Sequence, residues 1–257
     1  MQLTDSEFQQ YSRQIMVPEI AENGQRKLKS ATVLIVGIGG LGSAASMHLA
    51  GSGIGSLVIA DHDVVDVSNL QRQLIYRYTD LKTNKVEAAK EHLLAINPNI
   101  RIRAINRKLN GSQLELEVSM ADVVLDCTDN LSSRYAINAT CVKQKKVLIS
   151  GAAIGWQGQL MLFDFDKMSQ GCYHCLFPSD STSDELKNCA SAGVIGPVVG
   201  TIGNLQALEA IKYITNVSST SFGKLHQFDA ISNQWKTFEL TADSQCNVCG
   251  ITAITKE

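Results

Sequence analysis

The sequence predicts an α/β protein, a doubly wound and mostly parallel sheet with helices on both faces and an antiparallel extension toward the C-terminus. Three observations carry this reading. The runs "ATVLIV" at 31–36, "SLVIAD" at 56–61 and "ADVVLDCTDN" at 121–130 have the unbroken hydrophobicity of strands buried on both faces. Helical patterns separate the strands, as in "GIGGLGSAASMHLAGSG" and in "KVEAAKEHLLAIN" at 85–97, which Pro98 closes; strand–helix–strand alternation is the pattern of a parallel sheet. Beyond residue 150, "GQLMLFDFD", "KLHQFDA" and "QWKTFEL" alternate apolar and polar residues as antiparallel strands do.

The remaining elements follow in order. "TDSE" at 4–7 has the form of a capping box, and Phe8, Tyr11 and Ile15 recur at helical spacing, which predicts a short amphipathic helix carrying Arg13. Gly24 reads as a break before the first strand. "IRIRAI" and "KKVLISGAAIG" add two strands to the first half, and "IGNLQALEAIKYI" is an amphipathic helix with Leu205, Leu208 and Ile211 on one side. The segment 178–193, rich in Ser and Asp, reads as a mobile loop. With 257 residues and neither an internal repeat nor a linker, one domain spanning 1–257 is expected.

Composition excludes several classes. A formal net charge of -2, with the basic residues scattered apart from "KQKK" at 143–146, gives no general attraction to nucleic acid. The polar, acidic N-terminus "MQLTDSEFQQYSRQIM" lacks the features of a signal peptide, and no stretch reaches the roughly 18 apolar residues of a membrane span. A cytoplasmic protein is expected. Four of the seven cysteines form two CxxC pairs, Cys172 with Cys175 and Cys246 with Cys249, which in that compartment favours a metal over disulfides. Each pair is half of a tetrahedral thiolate site, so together they predict a closed, structural zinc centre of four cysteines, with His174 as a spacer. Cys127, Cys141 and Cys189 are left over, the first two suited to burial.

"GIGGLG" matches GxGxxG at Gly37, Gly39 and Gly42 between a strand and a helix, the context in which backbone N–H groups meet a phosphate at a helix N-terminus. Asp61 closes the next strand, where a carboxylate meets a ribose. A dinucleotide enzyme looks the same to this point. Asn69, Arg72 and Gln73 in "SNLQRQ", followed by Lys85, tilt the balance, because two cations suit a polyphosphate whose charge grows on a leaving group; the competing reading is a solvated helix face. In "DCTDN", Asp129 lies past the strand end and is the better candidate for Mg2+, whereas Asp126 on the strand reads as structural.

These motifs together resemble the ubiquitin-activating, E1-like adenylyltransferases of the ThiF and MoeB type. "YSRQI", "VGIGGLGS", "DHDVVDVSNLQRQ", "NKVEAAK", "DCTDN", "GCYHCLFP", "NCASAGVIGPVVG", "LQALEAIK" and "CNVC" carry the resemblance, in order, from about residue 8 to residue 250. It implies a Rossmann-like nucleotide-binding half over 1–150, a carrier-binding and zinc-binding half over 151–257, and a homodimer. It further implies transfer of AMP from Mg-ATP to the C-terminal Gly-Gly carboxylate of a ubiquitin-like sulfur carrier protein. The implied nucleotide site comprises Gly37, Gly39, Gly40, Gly42, Asp61, Asp63, Asn69, Arg72, Gln73, Lys85, Asp129 and Asn130. Asp129 serves magnesium, Arg13 enters the neighbouring subunit's site, and Cys172, Cys175, Cys246 and Cys249 bind zinc. The matching cysteine of the family joins the activated carrier or its sulfur after adenylation, which assigns Cys189 to the second step.

"AAIGWQGQLM", with Gly155 where the molybdopterin type tends to carry arginine, and "SNQWK" lean toward the thiamine-type member. The sequence ends after the zinc pair without a rhodanese domain, so the sulfur is expected from a separate donor, a cysteine desulfurase or rhodanese type. Asn84 stands where relatives often have proline, and Lys85 keeps its place. Two readings of other classes compete: an NAD-dependent oxidoreductase, disfavoured by Arg72 and Lys85, and a carrier-binding module without chemistry, disfavoured by the intact phosphate-site residues.

Overall fold

The computed structural model describes residues 2–166, 170–178, 193–217 and 222–250. Strands β1 (Thr32–Val36), β2 (Ser56–Asp61), β3 (Arg101–Asn106), β4 (Val123–Asp126), β5 (Val147–Ile154), β6 (Gln157–Asp164), β7 (Lys224–Asp229) and β8 (Gln234–Glu239) form one sheet in the order β3-β2-β1-β4-β5-β6-β7-β8. Pairing is parallel from β3 through β5 and antiparallel from β5 to β8. The expected mostly parallel sheet with an antiparallel extension is therefore what the chain forms.

Helices α1 (Asp5–Gln10), α2 (Ser12–Ile15), α3 (Ala21–Ser30), α4 (Gly40–Gly51), α5 (Lys85–Ile96), α6 (Gly111–Met120), α7 (Leu131–Lys143), α8 (Tyr173–Leu176) and α9 (Gly196–Thr215) cover it. Side chains alternate across a strand, so β1 feeds two cores. Val33 and Ile35 pack with residues of α3, α4, α5 and α9. Leu34 and Val36 pack with residues of α6 and α7, and with Cys172, Cys246 and Cys249. The cysteine cluster is thus built into the core on the second face.

The predicted capping box is present, with Thr4 Oγ1 accepting from the Glu7 N–H and Glu7 accepting from the Thr4 N–H. Three expectations need correction. Gly24 does not break the chain but lies inside α3. A Cβ there would meet Ile20 Cγ2 at 3.2 Å and Thr215 Cγ2 at 3.5 Å, so the glycine allows the end of α9 to approach closely. The C-terminal helix begins at Gly196, earlier than the periodicity indicates, and its most deeply buried stripe is Val199, Ile202, Gly203, Gln206, Ala207 and Ala210, with Leu205 and Ile211 only partly buried against the same core. Leu208 is 48% exposed; the polar Gln206 holds the core position because its amide satisfies backbone carbonyls of β4 and β5. Finally, β8 does not bury one face. All six of its residues are exposed at the sheet edge, although Trp235 stacks on Phe228 with ring centroids 4.7 Å apart.

Candidate active site and metal centre

The chain leaves β1 toward β2 on one side, while β4 pairs on the other. Between them lies the crevice at the carboxyl ends of the strands where open α/β sheets bind ligands. The glycine loop and the "DCTDN" turn meet there. Gly37 has φ +91, and a Cβ on it would lie 2.7 Å from the Cys127 carbonyl oxygen; Gly42 approaches so closely that its Cβ would fall 2.0 Å from Gly37 O. Gly39 caps α4. Without side chains at these places, the first turn of α4 presents its unpaired N–H groups.

Neighbouring residues hold the loop in shape. Asp61, at the end of β2, accepts the Ile38 N–H at 2.8 Å and the Asp63 N–H at 3.0 Å. Tyr76, buried, donates its hydroxyl proton to Ile38 O at 2.8 Å. Lys85 opens α5 and is buried, with its Nζ 2.8 Å from Asp63 Oδ2. Burial works to raise the Asp63 pKa, but the Lys85 hydrogen bond and charge, with His62, outweigh it and hold the carboxyl below its ordinary value. Asn69 accepts the Asp66 N–H, and Arg72 spans its 3-10 turn to Ser68 O at 2.9 Å. Gln73 is buried beside Gly39, and its Oε1 has no hydrogen-bond partner among the described residues.

Asp129 is exposed beyond β4. Asn130 follows as the N-cap of α7, accepting the Ser133 N–H at 3.0 Å. Asp126 is structural, as expected, but its partner went unforeseen. Arg134 is buried with its guanidinium on Asp126 Oδ2 (3.4 Å), Ser150 Oγ (3.2 Å), Gly151 O (2.8 Å) and Thr128 O. Gln206 Nε2 donates to Asp126 O and Ile149 O at 2.9 and 3.1 Å, and Gln206 Oε1 accepts from Cys127 Sγ at 3.4 Å. Tyr76, Arg134 and Gln206 therefore support the site without having been singled out. Only Gln206 left a signal, a polar residue in an apolar helical stripe.

Arg13 lies apart from these residues. It is exposed on α2, whose Gln14 reaches Ser52 O just past the C-terminal end of α4. The glycine loop is at the other end of that 12-residue helix, about 18 Å away along its axis. Cys189 lies outside the described residues, as does most of the loop around it. The segment resumes beside the site, where a Cβ on Gly196 would be 2.6 Å from Gln71 O and one on Gly40 would be 2.4 Å from Val199 Cγ1.

The four predicted cysteines come together, their sulfurs all within 4.8 Å of one another. Cys172 and Cys246 are 3.8 Å apart, and Cys175 and Cys249 3.4 Å. A tetrahedron with Zn–S bonds of about 2.3 Å has sulfur–sulfur edges of about 3.8 Å, so the four thiols fit that ion. The Val248 and Asp243 N–H groups donate to Cys246 and Cys175. His174 is more than a spacer, for its Nδ1 lies 3.7 Å from Cys246 Sγ. Cys127 and Cys141 are buried, and burial pushes both thiols up, which suits inert core residues.

Residues 11–248 match the ThiF family. The chain belongs to the ThiF family. Among its relatives is the sulfur carrier protein ThiS adenylyltransferase of Escherichia coli K12, 46% identical over 248 residues, covering 96% of this chain and 97% of that protein. The molybdopterin-synthase adenylyltransferase of Salmonella typhimurium LT2 is 41% identical, covering 97% and 99%. The solved structure of E. coli MccB with ATP superposes with a TM-score of 0.81 at 26% identity, over 96% of this chain and 75% of that one. This ThiF-family chain is thus a homologue of adenylyltransferases along nearly its whole length. No helix among its described residues is long and apolar enough to cross a membrane.

Proposed function

We propose that the chain adenylylates the C-terminal Gly-Gly carboxylate of a ubiquitin-like, ThiS-type sulfur carrier protein with ATP, releasing pyrophosphate and preparing the carrier for thiocarboxylate formation in thiamine (thiazole) biosynthesis. The observation that carries this reading is the crevice itself, where the glycine loop, Asp61, Lys85 and the Asp129 turn share one edge of the sheet. The 46% identity to a ThiS adenylyltransferase supports the choice of carrier.

The chemistry asks little of a side-chain base. A C-terminal carboxylate has a pKa near 3.5 and is ionised at neutral pH. Its oxygen attacks the α-phosphorus, the bond to the bridging α–β oxygen breaks, and pyrophosphate leaves with that electron pair. The site must align two anions and offset charge on the leaving group. The α4 N-terminus with Gly37, Gly39, Gly40 and Gly42 receives phosphate, and Asp61, with Asp63, Asn69 and Asn130 around it, orients the nucleoside. Arg72, Gln73 and Lys85 hold the polyphosphate. Asp129 is exposed, with the hard oxygen donors magnesium prefers; that ion, when bound, supplies further charge neutralisation.

Arg13, at the far end of α4 from its own glycine loop, acts in the site of a second copy, which makes the enzyme a homodimer. Exposed apolar side chains on the segment after β2, Val67 at 60% and Leu74 at 65%, offer surface for that partner. Residues 1–150 form the nucleotide-binding half and 151–257 the carrier- and zinc-binding half of one domain. The zinc is structural, since four thiolates leave it no open position. The cytoplasm suits the free thiols. A separate sulfur donor, of cysteine desulfurase or rhodanese type, completes the pathway.

Side-by-side adenylylation of purified ThiS-type and molybdopterin-type carriers tests the assignment. Radiolabelled acyl-adenylate is expected on the thiamine carrier, and label confined to the molybdopterin carrier overturns that choice. For the second step, Cys189→Ala is expected to keep pyrophosphate exchange while thiocarboxylate formation, read by mass spectrometry of the carrier, falls at least about tenfold. Loss of exchange in a folded Cys189→Ala protein refutes the role given to this cysteine.

A further inference from the structure

One buried side chain beside the metal centre has an unmet hydrogen-bonding need. Asn138, on α7, is 1% exposed. Its Oδ1 accepts the Tyr173 N–H at 3.0 Å, inside the Cys172–Cys175 knuckle. Its Nδ2 is sealed from solvent without a hydrogen bond, beside a knuckle in which Cys172, the residue before Tyr173, is itself fully buried. A buried amide proton left unpaired is costly, and a metal-bound thiolate is the acceptor that would relieve it.

The charge at the centre gives that donor a use. Four thiolates around a divalent cation carry two net negative charges, and such a group in a core needs N–H donors. Val248 and Asp243 supply them to Cys246 and Cys175. Cys172 is fully buried, and the orphaned amide nearest to it in the chain's fold is that of Asn138, held on the adjoining Tyr173 N–H. Asn130, Arg134 and Asn138 recur every four residues, which sets them along one face of α7. The helix that Arg134 ties to Thr128 O and Asp126 is therefore the one that holds the knuckle.

We propose that Asn138 is a positioning residue of the four-cysteine metal centre, its amide joining the Tyr173 N–H to the metal-bound Cys172 sulfur. The inference rests on the reading of that cluster as a zinc site, and the experiment separates the two. Zinc content of the wild-type full chain tests the site: a protein that purifies and reconstitutes without zinc sinks both statements. In Asn138→Leu, of similar size and without polar atoms, transfer of zinc to a chromophoric chelator is expected to show about 10–100-fold weaker retention. In the cobalt-substituted variant, the thiolate-to-metal charge-transfer band is expected to move to longer wavelength, because a sulfur relieved of its N–H donor gives up electron density more easily. A merely structural side chain would leave that band in place.

Unchanged retention and an unchanged band in Asn138→Leu overturn the proposal while leaving the zinc site standing. Should Asn138→Leu fail to fold, the cadmium-substituted wild-type protein decides by magnetic resonance. Coupling between the metal and the Asn138 side-chain amide proton is then expected. Coupling to the Val248 and Asp243 amide protons with none to Asn138 counts against it.

Discussion

Asp129→Ala is expected to lower carrier-dependent exchange of labelled pyrophosphate into ATP by about 10²–10³-fold, the range for losing a charge-neutralising contribution to the transition state, here that of the magnesium Asp129 would hold. The side chain is exposed past the end of β4 and the cap of α7 belongs to Asn130, so thermal stability should stay within about 0.5 kcal/mol of wild type. This separation makes the measurement decisive. Exchange is read over a magnesium titration at fixed ATP, beside a melting curve of the same protein. Asp129→Asn, which keeps shape but not charge, should lose activity with it. Wild-type exchange in folded Asp129→Ala would remove Asp129 from the mechanism, and exchange independent of carrier would argue against the proposed reaction altogether.

Arg134→Ala is expected to act the other way round, on the fold first. The guanidinium satisfies Asp126, Ser150 and the carbonyls of Thr128 and Gly151 within the core. Removing it leaves a buried carboxylate short of its counter-charge and two carbonyls without this donor, and breaking a buried pair in this way costs about 3–5 kcal/mol. A fall of that size in unfolding free energy is expected from urea titration. Arg134→Lys keeps the charge but not the planar fork, so an intermediate loss is expected. Exchange activity should drop in both variants, because Thr128 and Asp129 are adjacent and the turn loses its anchor. Wild-type stability of Arg134→Ala would show that Ser150 and the Thr128 hydroxyl and N–H suffice to hold Asp126.

Some of the site was legible because its chemistry is written in local patterns. GxGxxG needs glycine where a Cβ would strike Gly37 O or Cys127 O, and a CxxC pair is half of a tetrahedron whatever surrounds it. Asp61, Lys85 and Asp129 could be named from their position at strand and helix ends. Arg134, Tyr76 and Gln206 could not, because each acts through partners that only the folded chain brings to it. Gln206 reaches Asp126 O across 80 residues, and Tyr76 reaches Ile38 O across 38. Gly24 was misread for the same reason: its neighbour Thr215 is at the other end of the chain.

By itself the sequence determined the α/β class, the order of the strands, the glycine loop and the four cysteines that cluster, since hydrophobic period and CxxC spacing are short-range properties, whereas the helices at Ala21–Ser30, Gly111–Met120 and Leu131–Lys143 were not read from it. Only the tertiary structure decided how deeply each face of the last helix is buried, that the segment bearing Arg13 meets the end of α4 opposite its own glycine loop, and that α7 reaches from the Thr128 turn to the Cys172–Cys175 pair. Those depend on where remote segments meet, and burial and hydrogen-bond satisfaction are settled only when they do.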